Sequence, residues 1–336
     1  MIGVLTGYIV FGITMICGSA CSVEPEPASH IHEQALDQMQ GSGLQGIILR
    51  GNSLQGMTIT GFRFAGATLS GAALSNFRLE NGELVAELNS VTLRGTALAN
   101  AHLFAEAHNN NVTPHQSAVI QYRITAITAE NPVYDPKNTG NTFLYTLDQI
   151  VSNAVTPTAA CGVDHDNLRP AIPLADTWDD SGSRVASTSL FTFGCTTGAI
   201  AKCYRWGYRP WVTSYGDLKT MHEVCTRLAR ADYCGDGMSH TMDGTEINVW
   251  DNLPSPGPIQ AHGTTPPGMS FEAGWNQNGA ICLSHARWGI NGTVVTAACP
   301  DKLRPPANAN ATVCDDVPAA DAVGVSPMYN ESAFNH

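Results

Sequence analysis

Side chains able to move protons or hold metals crowd one stretch of this sequence: His222, Asp232, Asp236, His240 and Asp243. Imidazole titrates near neutrality and a neighbouring carboxylate can orient it, so His222, Asp232 and His240 are the candidates for general acid–base work. As metal ligands the five follow no standard spacing. An HExxH pair fails because Thr226 stands four residues after His222. An EF-hand loop opening at Asp232 fails because Cys234 occupies the third ligand position. No GxSxG nucleophile turn accompanies them. The plainer reading, preferred here, pairs Asp232 with Arg227 or Arg230 and makes Asp236 and Asp243 turn-formers beside glycines. Neither a metal nor a cofactor is expected.

A second constellation interleaves aromatics with arginines from Cys203 to Trp211. Arg205, Trp206, Tyr208, Arg209 and Trp211 are its candidate ligand-binding residues, because aromatic faces stack on sugars and guanidinium forks hold carboxylates. The competing and preferred reading packs them around a disulfide such as Cys195–Cys203. Eight cysteines stand beyond residue 160: Cys161, Cys195, Cys203, Cys225, Cys234, Cys282, Cys299 and Cys314. An even number without CxxC spacing reads as up to four disulfides in an oxidising compartment, with connectivity left open.

The elements that position these residues follow from periodicity. Asp217 to Asp232 reads as a helix capped by Asp217, with Leu218, Met221, Cys225 and Leu228 on one face and a Glu223–Arg227 pair on another. Ile120, Tyr122 and Ile124 alternate with polar residues as in a half-buried strand. Further strands are expected at Phe143–Leu147 and Glu246–Trp250. From Gly41 an apolar residue recurs every five positions, at Leu44, Leu49, Leu54, Ile59, Phe64, Leu69, Leu74, Leu79 and Leu84. After a one-residue slip the series resumes at Leu88, Leu93, Leu98 and Leu103. Period five matches neither helix nor flat strand, so a coil with glycine at its corners is expected, and twisted short strands are the alternative. Gly41, Gly43 and Gly46 satisfy GxGxxG, but no strand precedes them and no dinucleotide is assigned.

Composition bounds the rest. The 336 residues carry 17 basic and 29 acidic groups, a net charge of −12. Such a surface repels phosphate backbones and anionic lipids, so no nucleic acid is expected as a partner. Residues 2–17 are uncharged and too few to span a bilayer; they suit the apolar region of an export signal ending near Ala20.

Three resemblances follow. Gly18, Ser19 and Ala20 before Cys21 resemble a bacterial lipoprotein signal, which implies lipidation of Cys21, membrane contact only through that anchor, and an extracytoplasmic location. Without it, cleavage at Ala20 leaves a periplasmic or secreted chain. Residues 41–105 resemble pentapeptide-repeat proteins, which implies a β-solenoid. ARADYCGDGMSHTMDGT, preceded by HEVCTRLAR and joined by TFGCTTGAIAKCYRWGYRPW and FEAGWNQNGAIC, resembles the ADYC-domain family of exported bacterial proteins over residues 161–290. That resemblance implies export and supplies no reaction.

The expectation is therefore a β-rich, α+β protein overall. It would have a signal at 1–20, a tether at 21–40, and a solenoid-like Gly-Leu repeat β segment at 41–105. A β region at 106–160, a disulfide-rich α+β domain at 161–300 and a loose tail at 301–336 would follow. Its expected role is a non-catalytic surface or periplasmic binding protein whose partner is a cell-envelope glycan or protein. The alternative is a hydrolase of a cell-wall or extracellular polymer; a thiol enzyme is the weakest reading.

Overall fold

Along His102–Asn109 every second residue is small or apolar, and Ile120, Tyr122 and Ile124 repeat that alternation. Such runs form strands with one buried face. Both do so in the computed structural model, which describes residues 44–50, 54, 57–134, 142–151, 158–242, 244–302 and 314–333. The signal, the tether, Cys21, Gly41, Gly43 and Asp243 lie outside the described residues. The first strands are β1 (Thr58–Arg63), β2 (Thr68–Leu69), β3 (Ala72–Ala73), β4 (Ser75–Glu80), β5 (Glu83–Leu88) and β6 (Val91–Arg94). Next come β7 (His102–Asn109), β8 (Gln116–Ala129), β9 (Phe143–Gln149), β10 (Thr158–Ala159), β11 (Pro170–Ala175), β12 (Thr177–Trp178), β13 (Arg184–Val185) and β14 (Leu190–Cys195). Then follow α1 (Ala199–Arg205), α2 (Leu218–Ala229), β15 (Ile247–Asp251), β16 (Met269–Asn276), β17 (Gly279–Leu283), α3 (Gly289–Ala298), α4 (Val317–Val323) and β18 (Met328–Ala333).

Six strands pair antiparallel in the order β1-β14-β11-β9-β8-β7, and β7 pairs back onto β1. The sheet thus closes into a barrel, and closure removes the edge strands that would otherwise invite association. Phe62 makes an edge contact with Phe193 (4.9 Å) and a tilted one with Tyr122 (5.1 Å) in its core. Strands β11 and β14 lie beyond Cys161, so the segments 106–160 and 161–300 share this barrel.

No solenoid forms over the described part of 41–105. β4, β5 and β6 make a three-stranded antiparallel sheet, and β1 is a barrel stave. The apolar series nevertheless points inward: every member from Leu49 to Leu103 packs into the core that fills the barrel, and Leu44 joins a neighbouring one. Ile47, Met57, Phe62 and Phe77 stand two residues before series members and share that core. Residues two apart occupy one face of a strand, so large side chains at both positions suit a hairpin and would crowd the inside of a coil.

The second sheet runs β15-β18-β16-β17, with α2 packed against it. Four disulfides tie the layers: Cys161–Cys195, Cys203–Cys225, Cys234–Cys299 and Cys282–Cys314. Cys195 therefore pairs with Cys161, not with Cys203. The tail expected to be loose contributes α4 and a central strand, β18, with Met328 and Tyr329 buried; Cys314 and the apolar face of β18 bind it to the domain. Among the described residues no helix is long and apolar enough to cross a membrane.

Candidate functional site

Helix α2 begins where the sequence predicts, with Asp217 accepting the backbone N–H of Thr220 at 3.1 Å. At its other end Ala231 adopts a left-handed conformation (φ 51°) and reverses the chain into Asp232-Tyr233-Cys234. Buried Asp232 accepts the backbone N–H groups of Asp236 (3.1 Å) and Gly237 (3.0 Å) and pairs with Arg227. Arg227 also donates to Ser181 O and to Ser183 Oγ, bolting the turn to the β12–β13 hairpin. The expected Glu223–Arg227 pair is replaced: Glu223 accepts the backbone N–H of Arg184 at 3.1 Å.

Tyr233 stacks between Trp275 and His240, and burial pushes its phenol well above the ordinary value. Its hydroxyl donates to Glu272 (3.1 Å) and accepts the backbone N–H of Arg287 (3.0 Å). Arg287 pairs with Glu272 and donates to Leu228 O at 2.6 Å, a carbonyl at the end of α2 that also accepts the Ala231 N–H. Gly235 completes the turn at φ +70°, where a Cβ would stand 2.1 Å from Asn278 O. The turn is a structural junction in which each residue has a mechanical task.

Of the acid–base candidates Asp232 and His240 belong to that junction, whereas His222 meets Ile200 and Trp178. His222 is fully buried, and its Nε2–H donates to Ile200 O at 2.9 Å, at the start of α1. Burial, reinforced by Arg184, holds its pKa at about 3, so its ring stays neutral. Burial also lowers the pKa of His240, against the carboxylates of Asp236 and Asp232. The Asp232 carboxylate is occupied by Arg227 and two backbone groups, as the plainer reading expected. Asp236 accepts the backbone N–H of Met238 at 2.9 Å, as a turn-former does. Among the described residues no group of three His, Cys, Asp or Glu could hold a metal.

The arginine–aromatic run is folded inward. Arg205 pairs with Glu130 (2.7 Å) and lies over Tyr134, while Arg209 donates to Tyr134 O and lies over Tyr204. The Tyr208 hydroxyl donates to Asp251 at 2.9 Å, and the Trp206 carbonyl accepts from Gln260. Trp211 is half-buried against Tyr204. These side chains join the barrel to the second sheet through internal contacts.

A cleft of about 800 Å³ opens elsewhere, between residues 44–50, 54 and 57–59 on one side and the β12–β13 hairpin on the other. Half-buried Ile47, Leu49 and Met57 form an apolar wall, and Trp178 lines it too. Asp179, Asp180, Arg230 and Gly237 form the opposite, polar wall. Gly46, also in the lining, packs at φ +70° where a Cβ would stand 3.1 Å from Cys195 Cβ and Gly198 N. The carbonyls of Leu44 and Gln45 accept the N–H groups of Ile200 and Cys195, so the α1 end beside Gly46 is taken by the chain's own backbone.

Sequence reasoning missed a chain of polar groups beside this cleft. Thr60 Oγ lies 2.8 Å from His108 Nδ1, and His108 Nε2 lies 3.2 Å from Asp180. Thr60 falls at a register shift in β1, between Ile59 and Gly61. The signal that could have found half of it is the alternation of β7, which turns His102, Glu106 and His108 away from the core. Asp180 comes from the distant hairpin, and no local pattern announces it.

A family model described as ADYC domain matches residues 95–289, more than half of the chain. The match begins well before the 161 at which the resemblance was read, and it takes in β7, β8 and β9, which the barrel requires. No curated protein and no solved structure matches.

Proposed function

We propose a function for a chain that belongs to the ADYC-domain family: an extracytoplasmic, non-catalytic binding module whose ligand site is the cleft between residues 44–50, 54 and 57–59 and the β12–β13 hairpin. One observation carries the reading. The family's signature turn builds the cleft, because Arg230 and Gly237 line it and the Arg227–Asp232 pair fastens its polar wall. Cavities of this size with one apolar wall and a few placed polar groups suit small ligands. Four disulfides and the export-like leader support an oxidising compartment, with Cys21 as the lipid attachment point. The partner is a component of the cell envelope.

Two cleft variants, Leu49→Arg and Asp180→Lys, test this against a panel of envelope glycans, lipids and peptides followed by native mass spectrometry. The wild type should bind a panel member, and both variants should lose it while still unfolding in one cooperative transition above the assay temperature. Binding indifferent to both changes overturns the site, and turnover of a bound member overturns the non-catalytic assignment.

The Thr60–His108–Asp180 chain favours a second reading, hydrolysis of an extracellular polymer. A hydroxyl bonded to an imidazole that a carboxylate orients is the arrangement of an activated nucleophile. The Thr60 oxygen would attack an acyl carbon as its proton moves to His108, which then protonates the leaving group. Water would release the acyl-enzyme. Hydrolysis of p-nitrophenyl acetate by the wild type, lost in Thr60→Val, would support this, and equal rates in the two proteins would dismiss it.

A further inference from the structure

Residues 47–50 are bonded along one side only. Ile47 faces Cys161 in an isolated antiparallel bridge, and the Ile48 N–H donates to Ala160 O at 2.8 Å. Two residues on, the Gln149 side-chain amide takes both backbone groups of Arg50. Its oxygen accepts the N–H at 2.9 Å and its nitrogen donates to the C=O at 2.8 Å. Ile48 and Arg50 thus turn the same way, which is the period of an extended chain. The backbone groups of Ile47 and Leu49 turn the other way, and among the described residues their N–H and C=O groups have no hydrogen-bond partner. Their side chains pack against the barrel core. Both residues line the cleft, whereas Ile48 does not. The unused backbone edge is therefore the part of this segment that the cleft meets.

Such an edge is a template for a further strand. It offers a donor and an acceptor at Ile47 and again at Leu49, roughly 6.8 Å along an extended chain. An extended peptide repeats its own N–H and C=O at that interval, and sugar rings and acyl chains carry no matching repeat. A strand added there lays alternate side chains on the face that Ile47 and Leu49 share, where Leu54, Met57 and Trp178 supply apolar lining. At the rim Arg50 and Arg230 balance Asp179 and Asp180, so no net charge is selected. The space of about 800 Å³ holds a single short strand. The edge of a second folded copy does not fit, because the β12–β13 hairpin stands across the cleft as its other wall.

Resting on the cleft as ligand site, we infer that its ligand is an extended, uncharged peptide segment with apolar residues at alternate positions, held by strand addition to Ile47 and Leu49. Backbone hydrogen bonds give the affinity, and the apolar wall selects the side chains.

The probe is a blocked hexapeptide of alternating valine and threonine, with two further forms carrying N-methyl groups on the valines or on the threonines. Each is titrated by calorimetry into the disulfide-intact protein. A strand bonded along one edge needs the N–H groups of one alternate set only. Methylating that set should weaken binding about tenfold or more, and methylating the other should leave it unchanged. Amide hydrogen exchange, resolved by residue, gives a second readout that needs no variant of the protein. In the free protein Ile47 and Leu49 should exchange faster than Ile48 and Arg50. With the hexapeptide at about ten times its Kd, their exchange should slow about tenfold. Ile47 and Leu49 already as protected as their neighbours, a hexapeptide that does not bind, or two methylated forms that bind alike would each overturn the strand addition and leave the cleft to the other panel members. Hexapeptide binding that neither Leu49→Arg nor Asp180→Lys weakens overturns the cleft, and this inference with it.

Discussion

Removing the carboxylate of Asp232 separates a structural junction from a catalytic centre. Asp232 is fully buried and holds Arg227, itself 2% exposed, together with the N–H groups of Asp236 and Gly237. Breaking a buried ion pair by deleting one partner costs about 3–5 kcal/mol, because the other charge is left uncompensated. Arg227 would keep Ser181 O, Ser183 Oγ and Gln277 O as acceptors. The turn is also near solvent, where Asp236 and Gly237 can bond water. These two facts place Asp232→Ala at the lower end, about 3 kcal/mol. At about 2.1 cal/mol/K of unfolding entropy per residue, a chain of this size would lose roughly 4 °C in melting temperature. Equilibrium unfolding in urea with the disulfides intact measures it, and a double-mutant cycle with Arg227→Met isolates the pair. In the Arg227→Met background the Asp232 change should cost at least about 1.5 kcal/mol less, since no buried cation remains to be stranded. Single effects that add within about 0.5 kcal/mol, or a melting shift below about 1 °C, would refute the junction. A catalytic Asp232 predicts the opposite pattern, activity lost with stability retained.

The pH dependence follows from His222, which titrates at about 3 in the fold against an ordinary 6.5. The unfolded chain takes up a proton between those values that the folded chain refuses. This group's contribution to stability is therefore complete above pH 6.5 and is lost as pH falls toward 3, at about 1.4 kcal/mol per pH unit. His222→Gln should flatten the urea-midpoint profile by one proton in that window, and an unchanged slope would refute the assignment. Gly235→Ala combines a left-handed φ with a Cβ 2.1 Å from a backbone oxygen; its cost should exceed about 1 kcal/mol by calorimetric melting. Intact mass after denaturing alkylation without reduction should show no adduct at the eight cysteines from Cys161 to Cys314. Replacing Cys282 and Cys314 by Ala frees the segment carrying α4 and β18, and should cost about 2–4 kcal/mol in urea unfolding.

Much of the local structure was legible because its causes are local. The cap at Asp217 and the apolar face of Leu218, Met221, Cys225 and Leu228 define α2 in the sequence and in the fold. Alternation along β8 and β9 needs no tertiary information to declare a strand. The five-residue series identified the inward side chains correctly and misled about architecture. Side-chain direction repeats along a chain, whereas the partner of each strand lies outside it. The large residues Phe62 and Phe77, two before Phe64 and Leu79, were the internal signal for hairpins.

The candidate site was less legible, because a cleft is made by segments that meet only in three dimensions. Arg205, Trp206, Tyr208 and Arg209 have the residue types of a ligand patch, and only packing decided that they are buried. Burial likewise turned His222 from a titrating group into a neutral one. Composition, cysteine number and periodicity determined the polymer's local habits: strands here, a capped helix there, eight cysteines to be paired. Barrel closure by β14 onto β1, the four pairings and the meeting of Ile47, Leu49 and Met57 with Trp178 were decided by tertiary structure alone. Hydrogen bonds and dispersion contacts act over a few ångströms of space, and residues distant in sequence share that space only after folding.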